Sequence, residues 1–323
     1  MNPDTTANPE QQFPMKYARV TAGTATATTD ANGNFTLVGV NAPVSATFSY
    51  VGTFNNSLNA AGAEYTLTTT LNNPTGNVVA MNPAPTEAVT AQANAFRQVN
   101  VLRDFVRATN PSDSTADFVA TANVMVAGSC NAFYNGSSTN YYPIGGGCNN
   151  TAYSTVINHE HGHWMNDRYG TGNGGDGTGE GNADCFAMYI QDTPTVGANF
   201  STTGGIIRTG TNTRQFCGDA NPGCYGQVHT DGEVWMGAAW KIRSRLNTSL
   251  GNTSGDLTAN ALFMGWMNAY NQTTIRSIIE TQWLTLDDDD GNINNGTPHY
   301  SDIDNGFRDQ GFPGVQLFAI SYA

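Results

Sequence analysis

The string His159-Glu160-His161-Gly162-His163 constrains this chain of 323 residues more than any other feature of its sequence. The surrounding pattern predicts a helix from about Ala152 to Arg168. In a helix, His159 and His163 are four residues apart and lie on one face, so both imidazoles can reach one metal ion. Glu160 lies beside that pair and can take a proton from a water molecule on the metal. The string therefore predicts a zinc-binding helix that carries its own general base.

A zinc site of this kind needs a third protein ligand and a fourth position that stays open for water. A third histidine six residues after His163 is absent, because Tyr169 stands there. Further along, Glu180 opens a second predicted helix, and Asp184 follows one turn later. We expect Glu180 to be the third ligand and Asp184 to accept the ring N–H of a ligand histidine. The alternative is that Glu180 is an acidic residue of the kind common at helix N-termini.

The net charge of −13 excludes several classes of partner. A strongly acidic surface repels the phosphates of nucleic acids and disfavours anionic membrane surfaces. No apolar run is long enough to cross a bilayer, so we expect no membrane insertion. The acidity by itself indicates no more than solubility, and any cation site has to be argued from a local cluster.

The five cysteines indicate an oxidising compartment. Cys217 and Cys224 flank a short loop, Cys130 and Cys148 bracket a loop-rich stretch, and Cys185 is predicted to be a buried free thiol. No C-x-x-C pattern occurs, which argues against a cysteine zinc site. We expect a secreted, extracellular protein. No secretory signal is visible in this chain, which we expect to begin at a mature or engineered N-terminus.

The periodicity of apolar residues changes near Pro83 and Pro85. Before them it alternates as in strands, with a hairpin signal at Asn32-Gly33, and after them it becomes helical. We therefore predict an N-terminal tail over 1–14, a small β-sandwich over 15–82 and a larger domain over 83–323. The elements predicted from pattern are strands at 34–37, 44–51, 64–71 and 118–127 and helices at 86–110, 152–168, 183–191, 231–246, 257–284 and 301–308.

The string in the helix and several segments after and before it carry a resemblance to a known group. H-E-x-x-H followed by G-E-G-x-x-D resembles the gluzincin metallopeptidases, and among them the thermolysin and fungalysin types most closely. Asn131–Ser137 is similar to the N-A-F-W-N-G-S edge strand of thermolysin-like enzymes, and Gln227–Gly232 is similar to their G-V-H-T-N-S-G segment. Gly232–Trp235 and Asn295–His299 are similar to fungalysin-like bacterial proteins. The matches extend from about residue 131 to 299, whereas residues 15–82 resemble prealbumin-like modules.

The resemblance implies a fold and further roles. It implies an α+β protein in which the small β-sandwich precedes a thermolysin-like zincin catalytic domain, with a mixed sheet, an active-site helix and a mainly helical C-terminal part. It implies that Asn131 and Ala132 bind the substrate backbone and that His229 stabilises the oxyanion formed during hydrolysis. The sequence does not identify the tyrosine that usually assists this histidine, and Tyr169 and Tyr225 are no more than candidates for it.

The run of four carboxylates from Asp287 to Asp290 concentrates hard oxygen ligands in one loop. Adjacent carboxylates repel each other unless they are solvated or bridged by a cation. Calcium suits these ligands, but their spacing does not match an EF-hand. A calcium site formed by Asp287, Asp288, Asp289 and Asp290 and a solvated turn both remain open.

Three functions are compatible with these residues. The first is a zinc-dependent endopeptidase that acts on protein or peptide substrates. The second is a zinc aminopeptidase, although the G-x-M-E-N sequence of aminopeptidase gluzincins is absent. The third is a surface binding or adhesive protein with a vestigial metal site, against which the presence of Glu160 argues. The sequence specifies neither the oligomeric state nor the subsite preference.

Overall fold

The structure is a computed structural model and describes residues 11–317. Contacts divide the chain into two compact units. The first contains the residues up to Asp104 together with Ala116–His161 and Ala198–Gly205. The second contains Phe105–Thr115, Gly162–Gly197 and the residues from Ile206 onward.

The first unit is built on one mixed sheet of eight strands. These are β1 (Ala18–Ala22), β2 (Ala25–Thr28), β3 (Val44–Gly52), β4 (Asn55–Asn59), β5 (Thr66–Leu71), β6 (Ala120–Val124), β7 (Ala132–Tyr134) and β8 (Thr139–Tyr141). The strand order is β2-β1-β3-β4-β6-β8-β7, and β5 pairs with β3. The β4–β6 and β6–β8 pairs are parallel, and the other pairs are antiparallel. The mixed sheet expected for the catalytic domain is therefore present.

Alternating burial along the strands forms the core of this sheet. In β1 and β3 every second residue is buried, among them Val20, Ala46 and Phe48, as the two-residue period of a strand dictates. Leu71 joins this cluster from β5. The predicted helix begins as expected: α1 (Glu87–Thr109) follows Thr86, whose Oγ1 accepts the backbone N–H of Val89.

The predicted sandwich differs from the observed sheet in one respect. Phe35–Leu37, predicted as a strand, does not belong to a strand, although Phe35 and Leu37 pack against the Val20–Phe48 cluster. The strands before Pro83 instead join the later strands through the five-residue β4–β6 pairing. A separate domain over 15–82 stays a prediction, and this pairing counts against it because removal of β4 would expose one edge of β6.

The second unit is mainly helical. The remaining helices are α2 (Ser154–Tyr169), α3 (Thr178–Gln191), α4 (Val228–Leu250), α5 (Asn252–Ala269), α6 (Ile278–Asp287) and α7 (Tyr300–Arg308), with a 3-10 turn at Ile293–Asn295 and a two-stranded ladder of β9 (Thr195–Val196) and β10 (Arg208–Thr209). Trp235 of α4 is fully buried, and its ring contacts those of Trp266, Trp283 and Phe307. This aromatic cluster brings α4, α5, α6 and α7 together.

The single helix predicted over 257–284 is wrong. The structure has two helices, α5 and α6, separated by residues 270–277. The linker is held in a non-helical path by acidic side chains from elsewhere in the unit. Asp176 accepts the backbone N–H of Ile275 at 2.7 Å, and Asp219 accepts that of Ser277 at 2.8 Å. Periodicity within the segment does not reveal these distant acceptors.

The cysteine assignments are confirmed. Cys130 pairs with Cys148 in the first unit, Cys217 pairs with Cys224 in the second, and Cys185 is a buried thiol. Burial raises the pKa of Cys185, so this sulfur stays protonated and unreactive at neutral pH. Among residues 11–317, no helix has the length and apolar character needed to cross a membrane.

The packing of α6 generates a prediction about pH. Glu280 is fully buried, and burial, followed by the nearby Asp304 carboxyl, raises its pKa from 4.5 to about 8. Between about pH 4.5 and 8 the folded protein therefore holds a proton that the unfolded chain has released. The free energy of unfolding must fall as pH rises through this window.

We expect Glu280→Gln to remove this part of the pH dependence, because glutamine stays neutral at every pH. Urea unfolding of both proteins at about pH 5 and pH 8 measures it. The variant should gain stability relative to wild type as pH rises. Parallel pH profiles for the two proteins would show that Glu280 is already ionised in the fold.

Candidate metal centre

Helix α2 carries the predicted metal-binding string in its central turns. His159 and Glu160 are each 6% exposed, and the side chain of His163 is 12% exposed. Gly162 interrupts the run because α3 passes very close to it. A Cβ atom at this position would lie 2.8 Å from Cα of Ala183. The cost of a glycine inside a helix is therefore offset by a close helix contact that brings α3 next to His163.

Two imidazoles and one carboxylate converge at this position. His159, His163 and Glu180 each offer a ligand atom, and these atoms all lie within 4.8 Å of one another. Ligands about 2.0–2.2 Å from a tetrahedral zinc lie roughly 3.3–3.6 Å apart. Nε2 of His163 lies 3.6 Å from Oε2 of Glu180, at that spacing. The donor set and its spacing fit a zinc ion that keeps one position open.

Close contacts between α3 and α4 position Glu180. A Cβ atom on Gly181 would lie 2.7 Å from the Trp235 ring, and one on Gly232 would lie 2.8 Å from Cβ of Glu180. Glycines at both positions let the helices approach closely. Gly177 precedes α3 with φ of 88°, a conformation that glycine adopts without strain. The glycine-rich sequence before Glu180 thus allows α3 to begin directly against α4.

Asn173 fixes the orientation of His163, a role that the sequence did not indicate. Oδ1 of Asn173 lies 2.8 Å from Nδ1 of His163 and already accepts an N–H from Asn166 at 3.0 Å. Because Oδ1 of Asn173 can only accept, its hydrogen bond with His163 requires the proton to be on Nδ1 of the ring. Nε2 then presents its lone pair on the side of Glu180, as a metal ligand must.

Asp184 is bound by an arginine from β10 that the sequence did not indicate. Its carboxylate is fully buried and accepts two N–H groups of Arg208, at 2.7 and 2.9 Å. Such a two-point pair fixes the orientation of the carboxylate. Its bond to a ligand histidine stays a prediction. Arg208 lies in β10, and no motif in the sequence marked it.

His229 lies next to the proposed third ligand. Its Nε2 is 3.4 Å from Oε1 of Glu180, and its side chain is 46% exposed. Gln227, the N-cap of α4, uses Oε1 to accept the backbone N–H of Thr230, which leaves its Nε2 amide to donate to Nδ1 of His229 at 2.6 Å. His229 then carries its proton on Nε2 and can donate it beside Glu180. His229 is not part of the three-ligand group.

The buried Tyr141 lies close enough to Glu160 to be affected by its charge. Tyr141 is fully buried, and burial, with a smaller contribution from the negative charge of Glu160, raises its pKa. Tyr141 therefore stays a neutral phenol. His161, whose ring is also buried, stacks on Phe118 at 5.8 Å. The middle histidine of the string thus packs in the core.

The predicted substrate-binding residues lie at an edge strand, and the two candidate tyrosines are bonded elsewhere. Ala132 begins β7, the edge strand expected from the resemblance, and the exposed Asn131 precedes it. Their binding of substrate stays a prediction. Both candidate tyrosines have structural bonds: the Tyr169 hydroxyl donates to Asp113 at 2.6 Å, and the Tyr225 hydroxyl donates to the backbone oxygen of Gln215 at 3.0 Å. Neither bond indicates an assisting role.

The acidic loop divides into two parts. Asp287 accepts hydrogen bonds from Thr297 Oγ1, the backbone N–H of His299 and, at 2.6 Å, Nδ1 of His299. Asp287 therefore organises the turn. The carboxylates of Asp288, Asp289 and Asp290 lie within 4.8 Å of one another. Acidic surface loops commonly have this arrangement without an ion, so the calcium site stays a prediction.

Comparison with solved structures reveals a likeness to a metalloproteinase. The structure is similar to the precursor of protealysin, a metalloproteinase from Serratia proteamaculans, with a TM-score of 0.58 over 80% of this chain and 86% of that one. The fold is that of a thermolysin-like metalloprotease. At 14% sequence identity the likeness concerns the fold alone. No family model matches the sequence, and no curated protein sequence matches it.

The contact of Asn173 with His163 generates a prediction. Replacing Asn173 with Ala removes the acceptor that fixes the ring, so zinc affinity should fall about 10- to 100-fold. Asn173→Asp keeps an oxygen at that position and should retain most of the affinity. Competition with a chromophoric chelator measures both. Equal zinc affinity of Asn173→Ala and wild type would contradict the assignment of His163 as an oriented ligand.

Proposed function

We propose that this protein is a secreted zinc-dependent endopeptidase, with His159, His163 and Glu180 holding the metal. The observation that carries the proposal is the convergence of these three donors with Glu160 next to His159 on the same helix. The thermolysin-like fold supports it independently of the motif. When bound, zinc polarises a peptide carbonyl and lowers the pKa of a coordinated water toward 7.

Glu160 is the general base in this proposal. It follows His159 directly and, like that residue, is 6% exposed, so its carboxylate is largely shielded from bulk water. It accepts a proton from the attacking water and returns it to the departing amine. A surface binding protein with a vestigial site would have no need of this carboxylate, which favours an enzyme over that alternative.

His229 stabilises the negative charge that develops on the carbonyl oxygen. Gln227 donates to Nδ1 and so keeps the proton on Nε2, the ring atom beside Glu180. An N–H held in this orientation before the reaction costs no reorganisation when charge develops. The half-exposed ring is also accessible to a substrate.

The same three donors and general base would also suit an aminopeptidase. A comparison of blocked and unblocked peptides distinguishes an aminopeptidase from an endopeptidase. An aminopeptidase needs a group that recognises the free amine of its substrate, and the G-x-M-E-N sequence for this is absent. We therefore favour cleavage within chains. An N-terminally blocked peptide should be cleaved as well as its unblocked form, whereas an aminopeptidase would cleave only the latter.

Several finer assignments belong to the same proposal. The segments Gly232–Trp235 and Asn295–His299 support a fungalysin-type enzyme. The two disulfides support secretion, because such bonds persist in oxidising compartments. Substrate-backbone binding by Asn131 and Ala132 and calcium binding by Asp288–Asp290 also belong to it.

Glu160→Gln tests the proposal most simply. The variant should fold and bind one zinc per chain, yet hydrolyse casein at less than about a hundredth of the wild-type rate, because only the proton acceptor is lost. Wild type treated with a chelator should be equally inactive and recover with zinc. Glu160 is not the base if the variant retains more than about a hundredth of the activity.

His229→Ala tests the role of the second histidine. Because its N–H acts mainly in the transition state, kcat and kcat/KM should both fall about a hundredfold or more, while KM changes little. Zinc content should be unchanged, which separates this role from ligation. A wild-type kcat in the variant, or a loss of zinc, would contradict the assignment.

A further inference from the structure

A large cavity in the first unit lies outside the metal centre. It has a volume of about 1280 Å³ and is lined by residues between Gln11 and Val101. Val44 and Phe48 of β3 and Leu71 of β5 line it on the sheet, and Leu37, Val79 and Met81 line it from two loops. Pockets for small organic ligands typically measure about 300–1000 Å³, so this cavity can hold a substantial apolar molecule.

The two loops present apolar side chains to the cavity although they have no regular structure. Leu37 and Val79 are partly buried against the cluster of Val20, Phe48 and Leu71, whereas their neighbours Val38 and Val78 are 81% and 96% exposed. Leu37 and Val79 thus pack on the sheet, and Val78, although exposed, also lines the cavity. The sheet and the loops thus supply apolar side chains to a cavity whose lining also contains polar ones, among them Asn34, Asn41 and Asn77.

One face of α1 also lines the cavity. Ala93, Arg97, Asn100 and Val101 line it, at the spacing of one helix face. Asn100 is 3% exposed, and its Oδ1 accepts no hydrogen bond from the part of the chain that the structure describes. Its Nδ2 donates to the backbone oxygen of Phe96 at 2.9 Å. An amide oxygen of Asn100 that has no hydrogen-bond donor among residues 11–317 therefore lies on the face of α1 that lines the cavity.

Arg97 is the charged residue on that face of α1. Its guanidinium lies 3.8 Å from the centroid of the Phe13 ring, and within residues 11–317 no carboxylate forms an ion pair with it. Burial lowers its pKa, although an arginine stays charged at any physiological pH. By contrast, Lys16, which also lines the cavity, is paired with Asp104 at 2.7 Å. Among residues 11–317 Arg97 therefore has an aromatic partner and no ion-pair partner, so its guanidinium is available to an anionic ligand.

We propose that this cavity binds a long-chain carboxylate, with the carboxylate on Arg97 and the chain between the β3 face and the two loops. The guanidinium matches a carboxylate in charge and in its forked geometry. The apolar side chains of the sheet and of the two loops then bury the hydrocarbon chain of the ligand. Each buried CH₂ contributes roughly 0.8 kcal/mol of binding free energy. The site is independent of the metal centre and of the proposed peptidase activity.

Calorimetric titration with laurate tests the proposal, with dodecyltrimethylammonium as a ligand of equal chain length and opposite charge. The titrations use the full chain. Wild type should bind laurate at least about tenfold more tightly than the cationic ligand. Arg97→Gln should lose about tenfold or more of the laurate affinity, and Arg97→Lys should lose less. Arg19→Gln is the matched control, because Arg19 is exposed on β1 and does not line the cavity.

Several results would overturn this inference. They are an absence of laurate binding, equal affinity for both head groups, and unchanged affinity in Arg97→Gln. Preference for an apolar peptide with a free terminal carboxylate over laurate would also overturn it, since it would indicate a peptide-binding surface. Thermal unfolding of each variant establishes that it is folded. If Arg97→Gln is unfolded, two other measurements test the proposal: the laurate affinity of Arg97→Lys, and the affinity of wild type for laurate relative to the cationic ligand.

Discussion

The close contact of α3 with α4 is the constraint on which the candidate site depends. Gly181 and Gly232 leave no room for a side chain between the helices, and the buried Trp235 ring packs directly against the Gly181 backbone. This contact places Glu180 between His163 and His229, at 3.6 and 3.4 Å. A larger residue at either glycine would move a ligand by more than zinc geometry tolerates.

Hydrogen bonds with neighbouring amide side chains set which ring nitrogen carries the proton in His163 and in His229. Asn173 requires the proton of His163 on Nδ1, and Gln227 leaves the proton of His229 on Nε2. The two imidazoles beside Glu180 therefore differ in which ring nitrogen carries the proton. One presents a lone pair and the other presents a donor, which is the division of roles that a metal ligand and an oxyanion donor require.

The sequence predicted what depends on short-range spacing. An i,i+4 histidine pair can be recognised from five residues, and α1, α2 and both disulfides followed from local pattern. It missed what depends on distant partners. Asn173 and Arg208 have no motif, because only the folded chain brings them to His163 and Asp184. The strand predicted at 34–37 was wrong for a related reason. A strand forms by pairing with another strand, and the local periodicity does not show whether a pairing strand is present.

The central claim is that His159, His163 and Glu180 hold one zinc ion while His229 does not. Anomalous diffraction at the zinc edge, from crystals of the zinc-loaded protein, tests it most directly. The account predicts one peak per chain at the three donors, with two nitrogen ligands and one oxygen ligand at about 2.0–2.2 Å. The ring of His229 should lie outside that shell. A zinc ion bound by His229 in place of Glu180, or a peak only at the acidic loop, would contradict the account.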